Sequence, residues 1–218
     1  IHTCVLRSFL RSASLLAAAS PIPFGSSHLL AETGAEVSLQ GRLFKSLKIG
    51  MVKIGSDSLV DQFAAAKAAG FGAIELNCPG VDVEAVKAAS AASGLPVDGS
   101  VCAEHWQVRH SVLDPDIRAK ALENLRSAIR ETKAVGGDSV LLVPGHGKDG
   151  PAEEIEERSM ENISQALPLA AQLGVSILIE NVWNHFCYDH EGGPEQTAER
   201  FARYIDRFRS PFVGMQFD

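Results

Sequence analysis

The chain has 218 residues, a length that allows one sizeable hydrophobic core and one or two domains. Hydrophobic residues make up 45% of it and charged residues 22%, which excludes a disordered, collagenous or multi-span membrane protein. The formal net charge of −7 argues against a broad nucleic-acid-binding surface, and four cysteines without a CxxC spacing argue against a disulfide framework or a zinc ribbon.

Residues 1–45 predict an export segment followed by a linker. Arg7 and Arg11 precede a short apolar run of small residues at 13–20, which is the order found in signal peptides and is too short for a stable membrane anchor. The segment resembles a twin-arginine signal in which Leu6 stands at the first arginine position. We therefore expect export to the periplasm, with an amphipathic or disordered leader of a cytoplasmic protein as the alternative.

From residue 47 onward, short apolar runs alternate with longer helical patterns. The run at 140–143 is apolar throughout, which is typical of a strand buried on both faces of a parallel sheet. A helix is predicted over 115–135, because Asp114 can cap its first turn and Pro115 suits its first position. The strands predicted in this way are 47–54, 72–76, 97–103, 139–143, 175–180 and 212–217.

This alternation is compatible with a doubly wound sheet or with an α/β (β/α)8 TIM barrel. No GxGxxG motif follows the first strand, so the barrel is favoured. Complete barrels have roughly 250 residues. We therefore expect residues 46–218 to form a partial barrel domain with about six of the eight βα units.

In barrels, the catalytic side chains stand at the carboxyl ends of the strands and in the loops that follow them. Titratable residues gather at these positions: Glu75, Glu104, His105, His110, His146, Glu180, His185, His190 and Asp218. Glu180 would place a carboxylate at the mouth of an apolar core, where an unpaired charge is costly. Because adjacent strands lie about 4.8 Å apart, Asp218 could share a divalent cation with it. A rim ion pair with Arg or Lys is the alternative.

Several of the other candidates have two interpretations. His105 and Trp106 could offer a hydrogen bond and an apolar plate to a sugar ring, or could pack the loop. His146 lies in the segment 144–147, which we expect to be a flexible turn that either approaches a ligand or is exposed. Asp149 and the acidic run that follows it are expected to be a solvated helix start. Trp183 and Phe186 could line the pocket or pack in the core, and His185 and His190 are expected to be solvated.

Four segments resemble the sugar phosphate isomerase/epimerase family, which has a xylose-isomerase-like barrel and includes ketose 3-epimerases. They are Lys-Ile-Gly-Met at 48–51, Gly-Ala-Ile-Glu-Leu at 72–76, Ile-Glu-Asn-Val-Trp-Asn at 179–184 and Gly-Met-Gln-Phe-Asp at 214–218. The resemblance covers residues 47–218. Its most specific part is the third segment joined to Asp218 some 38 residues after Glu180.

The resemblance implies one divalent metal ion, Mn, Co, Mg or Zn, held by Glu180 and Asp218 together with a His and a Glu from two further strands. It also implies that Glu180 is half of a glutamate pair that moves a proton next to a ketose carbonyl through an enediolate. The substrate is expected to be a small sugar or sugar phosphate that contacts Glu75, His105, Trp106, His146 and Asn184. We expect no nucleic-acid partner and no stable membrane anchor, and a homo-oligomer is possible. Without the second glutamate, the 218-residue chain is expected to be inactive or nearly so.

Aldose–ketose isomerisation uses the same chemistry and stays open. A second interpretation is a zinc phosphodiesterase like endonuclease IV, in which His105 and His146 would join Glu180 and Asp218, although the acidic composition disfavours DNA. A third is an exported carbohydrate-binding barrel without catalysis.

Overall fold

The six predicted strands pair in the order in which they occur along the chain. In the computed structural model they form one parallel sheet with the order β1-β2-β3-β4-β5-β6. A doubly wound sheet would reverse direction within this order, so the topology is that of a barrel. The structure describes residues 43–182, 184–189 and 191–217. The predicted export segment up to residue 42, Trp183, His190 and Asp218 lie outside the described residues.

Helices fill the intervals between the strands as the pattern predicts. The strands are β1 Ser46–Lys48, β2 Ala73–Cys78, β3 Val97–Cys102, β4 Ser139–Leu142, β5 Ser176–Glu180 and β6 Val213–Gln216. The α-helices are α1 Leu59–Ala68, α2 Val83–Ser93, α3 Pro115–Ala134, α4 Ala152–Ser164, α5 Leu167–Leu173 and α6 Glu199–Asp206. Single 3-10 turns follow β1 at Ile49–Met51 and β4 at Gly147–Asp149.

Local signals explain the helix ends. The Asp114 side chain accepts hydrogen bonds from the backbone N–H groups of Asp116 and Ile117, which confirms the predicted cap of α3. Gly94 and Gly174 end α2 and α5 with φ of 66° and 63°, a left-handed conformation that costs glycine least.

The first strand is much shorter than predicted. Three residues of β1 pair with β2, and the chain then turns at Ile49–Met51 instead of continuing to residue 54. Partly or fully exposed residues fill this turn, so no buried face holds it in the sheet. The other five strands differ from their predicted bounds by no more than two residues at either end.

The sheet has two chemically different faces. On β5, Ile177 and Ile179 pack in one hydrophobic cluster with helix residues such as Leu125 and Ile163. Side chains alternate along a strand, so Leu178 and Glu180 lie on the opposite side, which we call the inner face. No helix of the described residues is long and apolar enough to cross a membrane.

Candidate functional site at the carboxyl ends of the strands

Glu180 is the last residue of β5 and lies on the inner face. It is 7% exposed, and its register partner on β6 is Gln216, which is 3% exposed. Register partners in a parallel sheet project to the same side, so both side chains occupy the inner face at the carboxyl end of the sheet. The structure thus places a buried carboxylate where the sequence predicts one.

Glu75 occupies the inner face of β2 in a similar way. Its register partner on β1 is Lys48, and Glu75 is 8% exposed. The outer neighbours of Glu75, Ile74 and Leu76, pack in the hydrophobic cluster with the helices. The inner face of the sheet therefore carries charged and polar groups from both of its edges.

His105 follows β3 and is held as a neutral imidazole. Its Nδ1 accepts a hydrogen bond of 3.2 Å from the backbone N–H of Val143, so we assign the ring proton to Nε2. Burial, helped by the nearby charge of Lys48, lowers the pKa of His105 to about 4. The Trp106 ring meets the imidazole edge-on, with centroids 5.2 Å apart, and is 38% exposed. The pair thus offers one N–H donor and one apolar surface.

The segment 144–147 packs closely against the loops around it. A Cβ atom at Gly145 would lie 2.1 Å from Ser111 Oγ, and one at Gly147 would lie 2.6 Å from His185 Cβ. The glycines are therefore required for close approach between loops, whereas the flexibility expected of this turn stays a prediction. His146 within this segment accepts at Nδ1 from the Lys148 N–H, and burial followed by the Lys148 charge lowers its pKa.

Asp149 anchors this segment and is not the solvated residue that the sequence predicts. Its carboxylate accepts two hydrogen bonds from the Arg109 guanidinium, at 2.8 and 2.7 Å, and one of 2.5 Å from Ser111 Oγ. A fourth comes from the backbone N–H of His146. Burial opposes ionisation of Asp149, but the bonds from Arg109 and Ser111 outweigh it and keep the pKa below its ordinary value. The loops after β3 and β4 are thereby joined.

Asn184 uses its amide to connect the loops after β4 and β5. Its Nδ2 donates to the Gly145 carbonyl at 2.5 Å, and its Oδ1 accepts from the Phe186 N–H at 3.1 Å. The side chain is 1% exposed. Substrate contact by Asn184 stays a prediction, and what the structure shows is a contact that positions the His146 loop.

Three other residues of the predicted rim serve the fold. His110 is 1% exposed and its Nδ1 pairs with Asn162 at 2.8 Å, and burial lowers its pKa to about 3. Phe186 packs edge-on against Tyr204 in the hydrophobic cluster. Glu104 accepts a hydrogen bond from Asn124 on α3. His185 is half-exposed, as expected.

The described residues do not complete a metal site. Within the ranges that the structure describes, no group of three or more His, Cys, Asp or Glu side chains is arranged to hold a cation. Glu180 can supply one hard oxygen ligand, and its predicted companion Asp218 lies outside those ranges.

Gln216 is the site residue that sequence reasoning missed. It is 3% exposed, and neither its Nε2 nor its Oε1 has a hydrogen-bond partner, which is true of no other buried side-chain atom in the described part of the chain. Leaving such a group unpaired costs about 1–3 kcal/mol. The available signal was a polar residue within an apolar strand, two positions before Asp218 in the sequence.

The order of the strands and the rim of polar residues agree with a family comparison. The sequence profile of the family described as xylose isomerase-like TIM barrel matches residues 63–218. The chain belongs to this family. The predicted fold class, an α/β barrel of this type with six strands described, is thereby confirmed.

Solved structures show the same fold at low sequence identity. The D-allulose 3-epimerase from Methylomonas sp. in complex with D-allulose has a TM-score of 0.62 and 23% identity over 79% of this chain and 61% of its own. An L-ribulose 3-epimerase has a TM-score of 0.62 and is 24% identical, with 79% of this chain and 59% of that protein covered. The 3-keto-D-glucoside 4-epimerase from E. coli has a TM-score of 0.61 and is 18% identical, with 73% of this chain and 63% of that protein covered.

The chain spans about six-tenths of the length of each of these proteins. No curated protein matches the sequence.

Proposed function

We propose that this chain is part of a sugar isomerase or epimerase that moves a proton next to the carbonyl group of a ketose or ketose phosphate. The observation that carries the proposal is Glu180, a carboxylate 7% exposed on the inner face at the carboxyl end of β5. Family membership and the three epimerases of the same fold support it.

The residues of this chain supply recognisable parts of that chemistry. A carboxylate within hydrogen-bond reach of a C–H group next to a ketone can accept its proton, and general-base catalysis contributes about 10²–10⁴-fold in rate. Glu180 is the base in this proposal. His105 presents its Nε2–H as a neutral donor that can bind a sugar oxygen without competing for the proton. The exposed face of Trp106 can cover the C–H side of a sugar ring.

Proton exchange tests the proposal directly. The protein that contains this chain is incubated with ketoses and ketose phosphates in D2O, and NMR follows loss of the C–H signal next to the carbonyl. We expect exchange with at least one sugar, and at least a 100-fold lower rate for Glu180→Gln. Glu84→Gln is the matched control, because Glu84 lies on the outside of α2 with its side chain 83% exposed. Exchange that Glu180→Gln leaves intact would contradict the role of Glu180.

We further propose that the protein needs one divalent cation, with Glu180 and Asp218 among its ligands. In such reactions a bound cation stabilises the oxygen that becomes negatively charged. The test is the thermal shift caused by Mn²⁺, Co²⁺, Mg²⁺ or Zn²⁺. A shift that Glu180→Gln largely removes would support the ligand role, and no shift with any of the four would oppose it.

A further inference from the structure

Gln216 differs from the other buried polar side chains of the described residues. Both ends of its amide lack a hydrogen-bond partner, whereas Ser100, Asn124 and Asn162 are each paired with a side chain of the protein. A buried amide whose two donors and one acceptor are unused has hydrogen-bonding capacity for something that enters the site.

The surroundings of Gln216 indicate from which side that ligand comes. Two positions earlier on the same face, Gly214 has no side chain, and a Cβ atom there would lie 3.0 Å from Leu178 Cδ2. The floor below Gln216 is therefore aliphatic and offers no hydrogen bond. Beside it, at the same level at the carboxyl end of the sheet, lies its register partner Glu180.

The unused groups also restrict the chemistry of the ligand. A cation would occupy Oε1 and leave the Nε2–H donors unpaired. A ligand that satisfies both ends needs a donor and an acceptor on neighbouring atoms, as in two adjacent hydroxyl groups or a hydroxyl beside a carbonyl. Sugars carry both arrangements.

We propose that Gln216 binds the substrate of this site through two adjacent sugar oxygens. One hydroxyl donates to Oε1, and the neighbouring hydroxyl or carbonyl oxygen accepts from Nε2. This inference rests on the proposed function, since it assumes that the site takes a sugar. It adds a substrate-binding residue beside Glu180.

Replacing Gln216 with an apolar side chain of similar length tests whether its amide binds the substrate or stabilises the fold. Gln216→Met and, as a second variant, Gln216→Leu are compared with the unsubstituted protein by thermal unfolding without ligand and by calorimetric titration with D-allulose, D-tagatose and L-ribulose. Gln172→Met is the matched control, because Gln172 is exposed on α5. We expect an unchanged or higher Tm for both Gln216 variants and at least tenfold weaker sugar binding.

Each other result has a definite meaning. Sugar binding that the Gln216 variants retain would show that the amide is not needed to bind the sugar, and it would overturn the inference while leaving the proposed function intact. A large fall in Tm in both variants would assign Gln216 to the fold and would also overturn the inference. If the unsubstituted protein binds none of the three sugars, the proposed function fails for these ketoses and the inference fails with it.

Discussion

The two faces of the parallel sheet treat buried polar groups differently. On the outer face, Ser100 Oγ and Thr132 Oγ1 are 2.5 Å apart, and apolar residues of the strands and helices form one hydrophobic cluster. On the inner face, Glu75, Glu180 and Gln216 are buried, and the Gln216 amide is unpaired. The outer face thus pairs these buried hydroxyl groups within the protein, whereas the inner face leaves the Gln216 amide without a partner.

The largest expected effect comes from neighbouring residues of β5 on opposite faces. Ile177 is fully buried against the helices, so Ile177→Ala should lower the free energy of unfolding by about 2–5 kcal/mol. Leu178 lies on the inner face and is only partly buried, so Leu178→Ala should cost less than half as much. Chemical denaturation of both variants measures the difference. Equal losses would contradict the division between the faces.

The next effect concerns the neutral imidazole at the rim. The pKa of His105 is lowered from 6.5 to about 4, so the unfolded chain binds the proton more readily. Above about pH 6.5 the imidazole is neutral in both states, and as the pH falls towards 4 the cost of charging the buried ring lowers the free energy of unfolding by about 3 kcal/mol.

His105→Gln keeps an acceptor for the Val143 N–H and removes the titration. Its free energy of unfolding, measured by denaturant titration between pH 7 and 4, should fall less steeply than that of the unsubstituted protein. His185→Gln is the control, because that imidazole is half-exposed. Burial and the nearby charge of His105 lower the pKa of His110, so removing His105 also weakens the pH dependence that His110 contributes, in the same direction. Parallel curves for His105→Gln and the unsubstituted protein would show that His105 is not held neutral.

The smallest of the three effects concerns the loop anchor beside the inner face. Asp149→Asn removes the charge that binds Arg109 and should cost about 2 kcal/mol at neutral pH, since hydrogen bonds to charged groups contribute about 1.5–3 kcal/mol. The folded-state pKa of Asp149 is depressed, so this stabilisation is present above about pH 4 and is lost in more acidic solution.

The measurement is urea denaturation at neutral and acidic pH, where the two proteins should converge as the pH falls. Glu84→Gln, which breaks the exposed pair with Lys87, is expected to change stability by no more than about 0.5 kcal/mol. An Asp149→Asn variant that matches this control at neutral pH would show that the anchor contributes nothing.

Five of the six strands could be located from the sequence to within one or two residues at either end, because a continuous apolar run bounded by glycine is a local pattern. The first strand was overestimated, because its length depends on pairing with β2 and not on its own residues. The position of Glu180 on the rim could also be predicted, since the end of β5 defines it.

The sequence by itself determined the parallel α/β architecture, the capped helices and the set of polar residues at the strand ends, because each depends on residues close together in the chain. Only the tertiary structure decided which of those polar residues serve the fold. Asp149 meets Arg109 across 40 positions, His110 meets Asn162 across 52, and His105 meets Val143 across 38. Hydrogen bonds over such separations leave no periodic signal, and for the same reason the unpaired amide of Gln216 could be recognised only after the sheet had been assembled.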